Sequence, residues 1–150
     1  MNCFPDTSFL CAIYRTQDNS LQADAILSGF RSTLPVSSLL LLELRQSIRF
    51  QNRLFSLDRN IGFPPAEGSR MLRDLQSDLA SGVLEVVTVD WADVHRIAEE
   101  LSHKYTAQGG HRLADILHVA TALHLGSPAF LTFDANQKKL AEAEGMSVPV

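Results

Sequence analysis

Four acids are set among apolar or strand-ending residues: Asp6, Glu43, Asp115 and Asp134. Glu43 interrupts Leu39-Leu40-Leu41-Leu42-Glu43-Leu44, a helical pattern apolar nearly all round, so its carboxylate needs a partner from elsewhere in the fold. Its helical neighbours at i±3 and i±4 are Leu39, Leu40, Gln46 and Ser47, none of them cationic, which leaves a metal or a tertiary Arg. Asp115 is a lone acid in Arg112-Leu-Ala-Asp115-Ile-Leu-His118-Val-Ala-Thr-Ala, where the local alternative is a first-turn acid paired with Arg112. Asp6 opens Asp6-Thr7-Ser8 and Asp134 opens Asp134-Ala-Asn-Gln137, and each would also serve as a helix N-cap.

Drawn together, such acids would do metal chemistry. Carboxylates within ~5 Å of each other repel by about 3 kcal/mol per pair at an effective dielectric of 20, so they call for divalent cations. Without metal, that repulsion would raise their pKa values. Oxygen-only ligands favour Mg²⁺, or Mn²⁺, over zinc, and a bound ion would acidify a water and polarise a phosphodiester. His111, Asp115 and His118 share a helix face, but a transition-metal site there would lack further ligands, and His118 reads as a core residue. His95, His103 and His124 read as helix-surface residues, and Asp90 and Asp93 as helix-start acids.

Short apolar runs alternate with helical patterns along the whole chain, the arrangement of βα units on a parallel sheet. Strands are expected near 2–5, 34–37, 83–89, 129–133 and 147–149. Helices are expected over Thr7 to Tyr14, Leu21 to Phe30, Ser38 to Phe50, Glu67 to Leu79, Trp91 to Tyr105, Leu113 to Leu125 and Ala135 to Glu144. The stretch from Gln51 to Glu67 carries the least pattern. Asp6 and Asp134 then fall at the carboxyl ends of parallel strands, where open α/β sheets place their sites, with Glu43 and Asp115 on helices able to flank the same crevice.

With 150 residues, 45% of them hydrophobic, and no repeat or low-complexity tract, residues 1–150 read as one domain around one core. The net charge of −4 gives no general basic field, so a nucleic-acid partner would be held by local Arg and Lys or by bound metal. The first fifteen residues lack the basic leader of a signal peptide, and no apolar run approaches the ~18 to 20 residues that span a bilayer, so a cytoplasmic protein without membrane contact is expected. Cys3 and Cys11 read as buried thiols.

These motifs, in this order, resemble the PIN-domain proteins of the VapC-like toxin family. The resemblance rests on Asp6-Thr7-Ser8, Glu43 after strand two, Arg112-x-x-Asp115-x-x-His118-x-Ala-Thr-Ala122 and Thr132-x-Asp134, and it spans the chain. It implies a three-layer α/β/α PIN-like fold with a central parallel sheet, and Mg²⁺ (or Mn²⁺) held by Asp6, Glu43, Asp115 and Asp134 as the catalytic acids. It further implies endoribonuclease activity as the toxin of a toxin–antitoxin pair, a homodimer, and an antitoxin whose tail enters the acidic cleft. Thr7, Ser8 and Thr132 match the family's hydroxyls beside the first and fourth acids, Arg112 would face a substrate phosphate, and Lys138-Lys139 is a candidate RNA contact. Two other classes fit less well. A dehalogenase-like phosphatase wants an Asp where Ser8 stands, and a receiver domain wants an acidic pair after strand one. A PIN scaffold that binds RNA or protein without cutting is the remaining alternative.

Overall fold

The computed structural model describes residues 2–30 and 32–150, so Met1 and Arg31 lie outside the described residues. Four short strands are present: β1 (Cys3–Pro5), β2 (Leu34–Val36), β3 (Leu84–Val86) and β4 (Ala129–Leu131). β1 pairs with β4 and β2 with β3, both in parallel, with Phe4 opposite Phe130 and Pro35 opposite Glu85. The two pairs meet where β1 runs beside β2, giving the order β3-β2-β1-β4. β1 and β4 are buried throughout, as strands covered by helices on both faces must be, whereas β3 exposes Glu85 and Val86.

The helices are α1 (Thr7–Tyr14), α2 (Ser20–Gly29), α3 (Ser38–Leu57), α4 (Pro65–Ser81), α5 (Trp91–Leu101), α6 (Ala107–Gly109), α7 (Leu113–His124) and α8 (Ala135–Ala143). They form two packed groups: α1 to α4, and α5 with α7 and α8. The core between them includes Phe4, Phe9, Leu34, Leu40, Leu44, Ile48, Val119 and Phe130. Local chemistry sets the ends. Ser37 caps α3 by accepting from the Leu40 N–H at 3.1 Å, Pro65 occupies the first turn of α4, and Gly82 ends it at φ 80°.

Four expectations are corrected. The expected strand at 83–89 shortens to Leu84–Val86, and the one at 147–149 reduces to a single bridge between Ser147 and Ala129. The helix expected to stop at Phe50 continues to Leu57, so the unpatterned stretch is largely helix and the true loop is 58–64. The expected helix from Trp91 to Tyr105 breaks at Leu101 into a π-helical turn, Ser102–Thr106, from which Tyr105 donates to Glu144 at 2.6 Å and Lys104 at 3.2 Å. No helix among the described residues is long and apolar enough to cross a membrane.

Candidate active site

The four acids arrive from four separate segments. Asp6 follows β1, Glu43 sits in the second turn of α3, Asp115 in the first turn of α7, and Asp134 three residues beyond β4. Pairing of β1 with β4 extends through the Asp6 N–H, which donates to Leu131 O at 3.0 Å, and this brings the two strand ends together.

Asp6 is fully buried and its carboxylate is committed within the protein. Oδ1 accepts from the Phe9 N–H at 2.9 Å and Ser8 Oγ at 2.7 Å, and Oδ2 from Thr132 Oγ1 at 2.6 Å and Gln137 Nε2 at 2.8 Å. Burial pushes its pKa up; the hydroxyl and N–H donors and the nearby His118 oppose this. Thus Asp6 is both the N-cap of α1 and the tie between α1, β4 and α8. Thr132 Oγ1 in turn accepts from the Asp134 N–H at 3.0 Å, and Ser8 Oγ from the Phe133 N–H at 2.9 Å. The hydroxyls of Ser8 and Thr132 therefore hold the two acidic segments in fixed register.

Glu43 Oε2 accepts from Thr7 Oγ1 at 2.8 Å and lies against Nε2 of His118, a residue that is 1% exposed. Burial alone would raise the Glu43 pKa, but the contact with His118, the Thr7 hydroxyl and the field of Arg112 leave it lowered. A general rise from mutual repulsion, expected from sequence, is therefore not the pattern: Asp6 goes up chiefly by burial, and Glu43 goes down.

Asp115 is buried and takes Arg112 Nε on Oδ2 at 3.2 Å, the local pair expected from their spacing. The same guanidinium reaches Asp134, with Nη2 4.0 Å from Oδ2. Asp134 Oδ1 caps α8 by accepting from the Asn136 and Gln137 N–H groups at 2.8 and 2.9 Å. Its second oxygen faces Arg112, so the cap and the cleft share one carboxylate. The capping box is half made, because the Gln137 side chain reaches Asp6 instead of returning to the cap.

The acids are thus interleaved with two basic groups, Arg112 and His118. Among the described residues no group of three or more His, Cys, Asp or Glu stands ready as a metal cage. The donor set still suits Mg²⁺: Glu43 Oε1, Asp115 Oδ1 and Asp134 Oδ2 accept no hydrogen bond among the described residues. Mg²⁺ is ordinarily held by one or two carboxylates and keeps several waters, which requires no complete protein cage.

Two members of this site, His118 and Gln137, were not singled out from sequence as site residues. For His118 the signal was its shared helix face with Asp115. Gln137 had none, because the local capping pattern predicts a different partner for its amide. Of the acids set aside, Asp90 caps α5 by accepting from the Ala92 and Asp93 N–H groups. Asp93 pairs with Arg96 and with Nδ1 of His124, which makes His124 a tertiary partner and not a plain surface residue. Lys138 donates to the backbone of Val150 at 3.0 Å.

The same fold recurs in solved structures. VapC20 of Mycobacterium tuberculosis, described as a sarcin-ricin loop cleaving toxin, superposes with a TM-score of 0.68 at 18% identity, over 97% of this chain and 96% of that one. FitAcB of Neisseria gonorrhoeae gives 0.63 at 18% identity over 97% and 95%, and PAE2754 of Pyrobaculum aerophilum 0.61 at 18% over 99% and 89%. No curated protein sequence matches the chain significantly. The family model described as the PIN domain matches residues 3–143, a span that starts within β1 and closes with α8, taking in all four acids. By that match and the architecture around it, the chain belongs to the PIN domain family.

Proposed function

We propose that this protein is a Mg²⁺-dependent endoribonuclease, the toxin of a toxin–antitoxin pair, acting as a homodimer. The observation that carries the reading is the grouping of Asp115 and Asp134 against the guanidinium of Arg112, with Glu43 in its field, beside the carboxyl ends of β1 and β4; each of these acids keeps one oxygen that accepts no hydrogen bond among the described residues. That VapC20 is described as a toxin cleaving the sarcin-ricin loop supports the substrate class.

Glu43, Asp115 and Asp134 would hold Mg²⁺, or Mn²⁺; Asp6, expected as a fourth ligand, has both oxygens engaged within the protein and would stand behind them. When bound, the ion polarises the phosphodiester and lowers the pKa of a coordinated water. Thr7 orients Glu43, while Ser8 and Thr132 keep Asp6 and Asp134 from shifting relative to each other. Arg112, 77% exposed, is free to turn from Asp115 and Asp134 onto a substrate phosphate once a cation replaces it. A basic side chain of an antitoxin entering the same cleft would occupy the acids in the manner Arg112 does here.

The test is incubation of antitoxin-free protein with total RNA, with Mg²⁺ and with EDTA. Cleavage is expected only with Mg²⁺, and Asp115→Asn is expected to reduce it by roughly a hundredfold or more, the scale of losing one transition-state charge stabiliser. Cleavage equally strong in EDTA would refute the metal-dependent reading. Sedimentation of the pure protein tests the dimer. One observation favours the second reading, a scaffold that binds without cutting: the Asp6 carboxylate is committed within the protein, and Arg112 and His118 already lie against the other acids. RNA bound but uncut under all metal conditions would establish it.

A further inference from the structure

Beside the acidic site, α1 and α3 present facing rows of polar residues. Thr7, Cys11 and Arg15 follow one another at i, i+4 and i+8 along α1 and its C-cap, and Glu43, Ser47 and Gln51 do the same along α3. The rows touch at their first members, through the Thr7–Glu43 hydrogen bond, and then part. One to two turns of helix further along, about 6 to 12 Å, they enclose a cavity of ≈ 210 Å³ lined by Cys11, Arg15, Gln17, Ser47, Gln51 and Phe63 over an apolar floor of Ile48 and Met71. This is below the ~300 to 1,000 Å³ of typical small-molecule sites and suits one compact planar group.

The far wall of the cavity is built rigidly. The Phe63 N–H donates to Gln51 O at 3.4 Å, Asn52 Nδ2 donates to Phe63 O at 3.0 Å, and Gly62 takes φ 67° in the turn between them. A Cβ on Gly62 would lie 2.1 Å from Gln51 O, so only glycine lets the turn close on α3. The guanidinium of Arg15 rests 4.6 Å from the centroid of the Phe63 ring and makes no ion pair among the described residues. A cation so positioned, in a chain of net charge −4, keeps its donors for a ligand.

We propose that this groove is a nucleotide subsite of the substrate strand: Arg15 grips a backbone phosphate, and Gln17, Ser47 and Gln51 read the base beside it. The inference rests on the nuclease reading and goes beyond it by naming where the strand runs from the acids. Side-chain amides carry both donors and acceptors, which matches the edge of an unpaired base, and single-stranded RNA presents such edges. An acidic peptide would satisfy Arg15 and offer its peptide groups to the amides; the strand is favoured because the groove continues from the acidic site along the same two helices.

The experiment measures binding in EDTA, where cleavage is stopped, by anisotropy of a fluorescent randomised RNA dodecamer titrated with the full-length protein over a range of KCl. Arg15→Gln is expected to weaken binding roughly ten- to a hundredfold, the worth of one charge-assisted hydrogen bond. It should also lower the slope of log affinity against log salt by about 0.7, the value for one phosphate contact on a single strand. Arg15→Lys is expected to restore the slope. Gln51→Glu gives a variant independent of the Arg15–Phe63 contact, because the backbone of Gln51 holds Phe63, and it is expected to weaken binding. Affinity and slope unchanged in Arg15→Gln and Gln51→Glu would overturn the subsite. So would an acidic peptide of equal charge competing as well as RNA does, since it would assign the groove to a protein partner. Wild-type protein that cleaves RNA while the variants bind as it does would overturn the subsite alone. Failure of the wild type to bind RNA in EDTA would overturn the subsite, whereas failure to cleave RNA with Mg²⁺ would overturn the nuclease reading with it.

Discussion

Arg112 is the residue whose position makes the strongest demand on solution behaviour. Its guanidinium lies against Asp115 and Asp134 and its field reaches Glu43, so any cation that binds these acids must first displace it. Arg112→Gln is therefore expected to bind Mg²⁺ more tightly in calorimetry, by up to about fivefold, since an exposed ion pair opposes with ~1 kcal/mol or less. If the proposed function holds, the same variant is expected to cleave RNA more slowly, since Arg112 would no longer meet a substrate phosphate. Cys11 gives a second readout. Burial, then Asp6 and Glu43, push its thiol up to about 11, with Arg15 opposing. Near pH 8 its thiolate fraction is thus about a hundredfold below that of an ordinary cysteine, and alkylation of the folded protein is expected to lag the urea-unfolded chain accordingly. At this scale the sequence was informative where local partners ran out. Glu43 had no cation within a helical turn, and it does find its partners far away, though in Thr7 and His118 and not in the metal or Arg expected, Arg112 acting only through its field. Sequence was silent where a local explanation sufficed. Gln137 fits a capping box so well that its hydrogen bond to Asp6 could not be anticipated.

At the scale of elements, the parallel pairing of β1 with β4 brings Asp6 and Asp134 together, while Glu43 joins them through Thr7 and Asp115 through Arg112. Those strands were legible because buried strands leave short apolar runs bounded by acids and turn residues. β3 was read too long because it lies at the edge and Val86 and Glu85 face outward, so its end leaves no mark in the hydrophobic pattern. The second half of α3 was missed for a related reason: beyond Ile48 the helix buries no residue completely, and periodicity falls quiet while the helix goes on. The Gly62 turn that follows is sharply constrained. Gly62→Ala is expected to destabilise the protein by about 1–3 kcal/mol in urea denaturation, because a Cβ at positive φ would also collide with Gln51 O. Gly82→Ala, at a similar φ but facing open space, is expected to cost less, which separates the collision from the backbone term.

The whole molecule is acidic, with a net charge of −4, and holds its site acids with its own bases. Because a metal that binds only the folded state stabilises it by mass action, Mg²⁺ at a hundred times its Kd is expected to raise the unfolding free energy by about 2.7 kcal/mol. Asp115→Asn should abolish much of this shift, and a melting temperature indifferent to Mg²⁺ in the wild type would contradict a metal site at these residues. The straddling of Asp115 and Asp134 by Arg112 has a consequence for how such a protein is made. In small zinc domains the ion is part of the folding reaction, and the chain stays unfolded until it arrives. Here a tethered counter-ion stands in, so a nascent chain should reach its native shape in a metal-starved cell, and far-ultraviolet dichroism in EDTA is expected to match that in Mg²⁺. On the proposed reading, synthesis and activation would then be separate events, with the protein stockpiled in finished form and only its chemistry awaiting the metal supply.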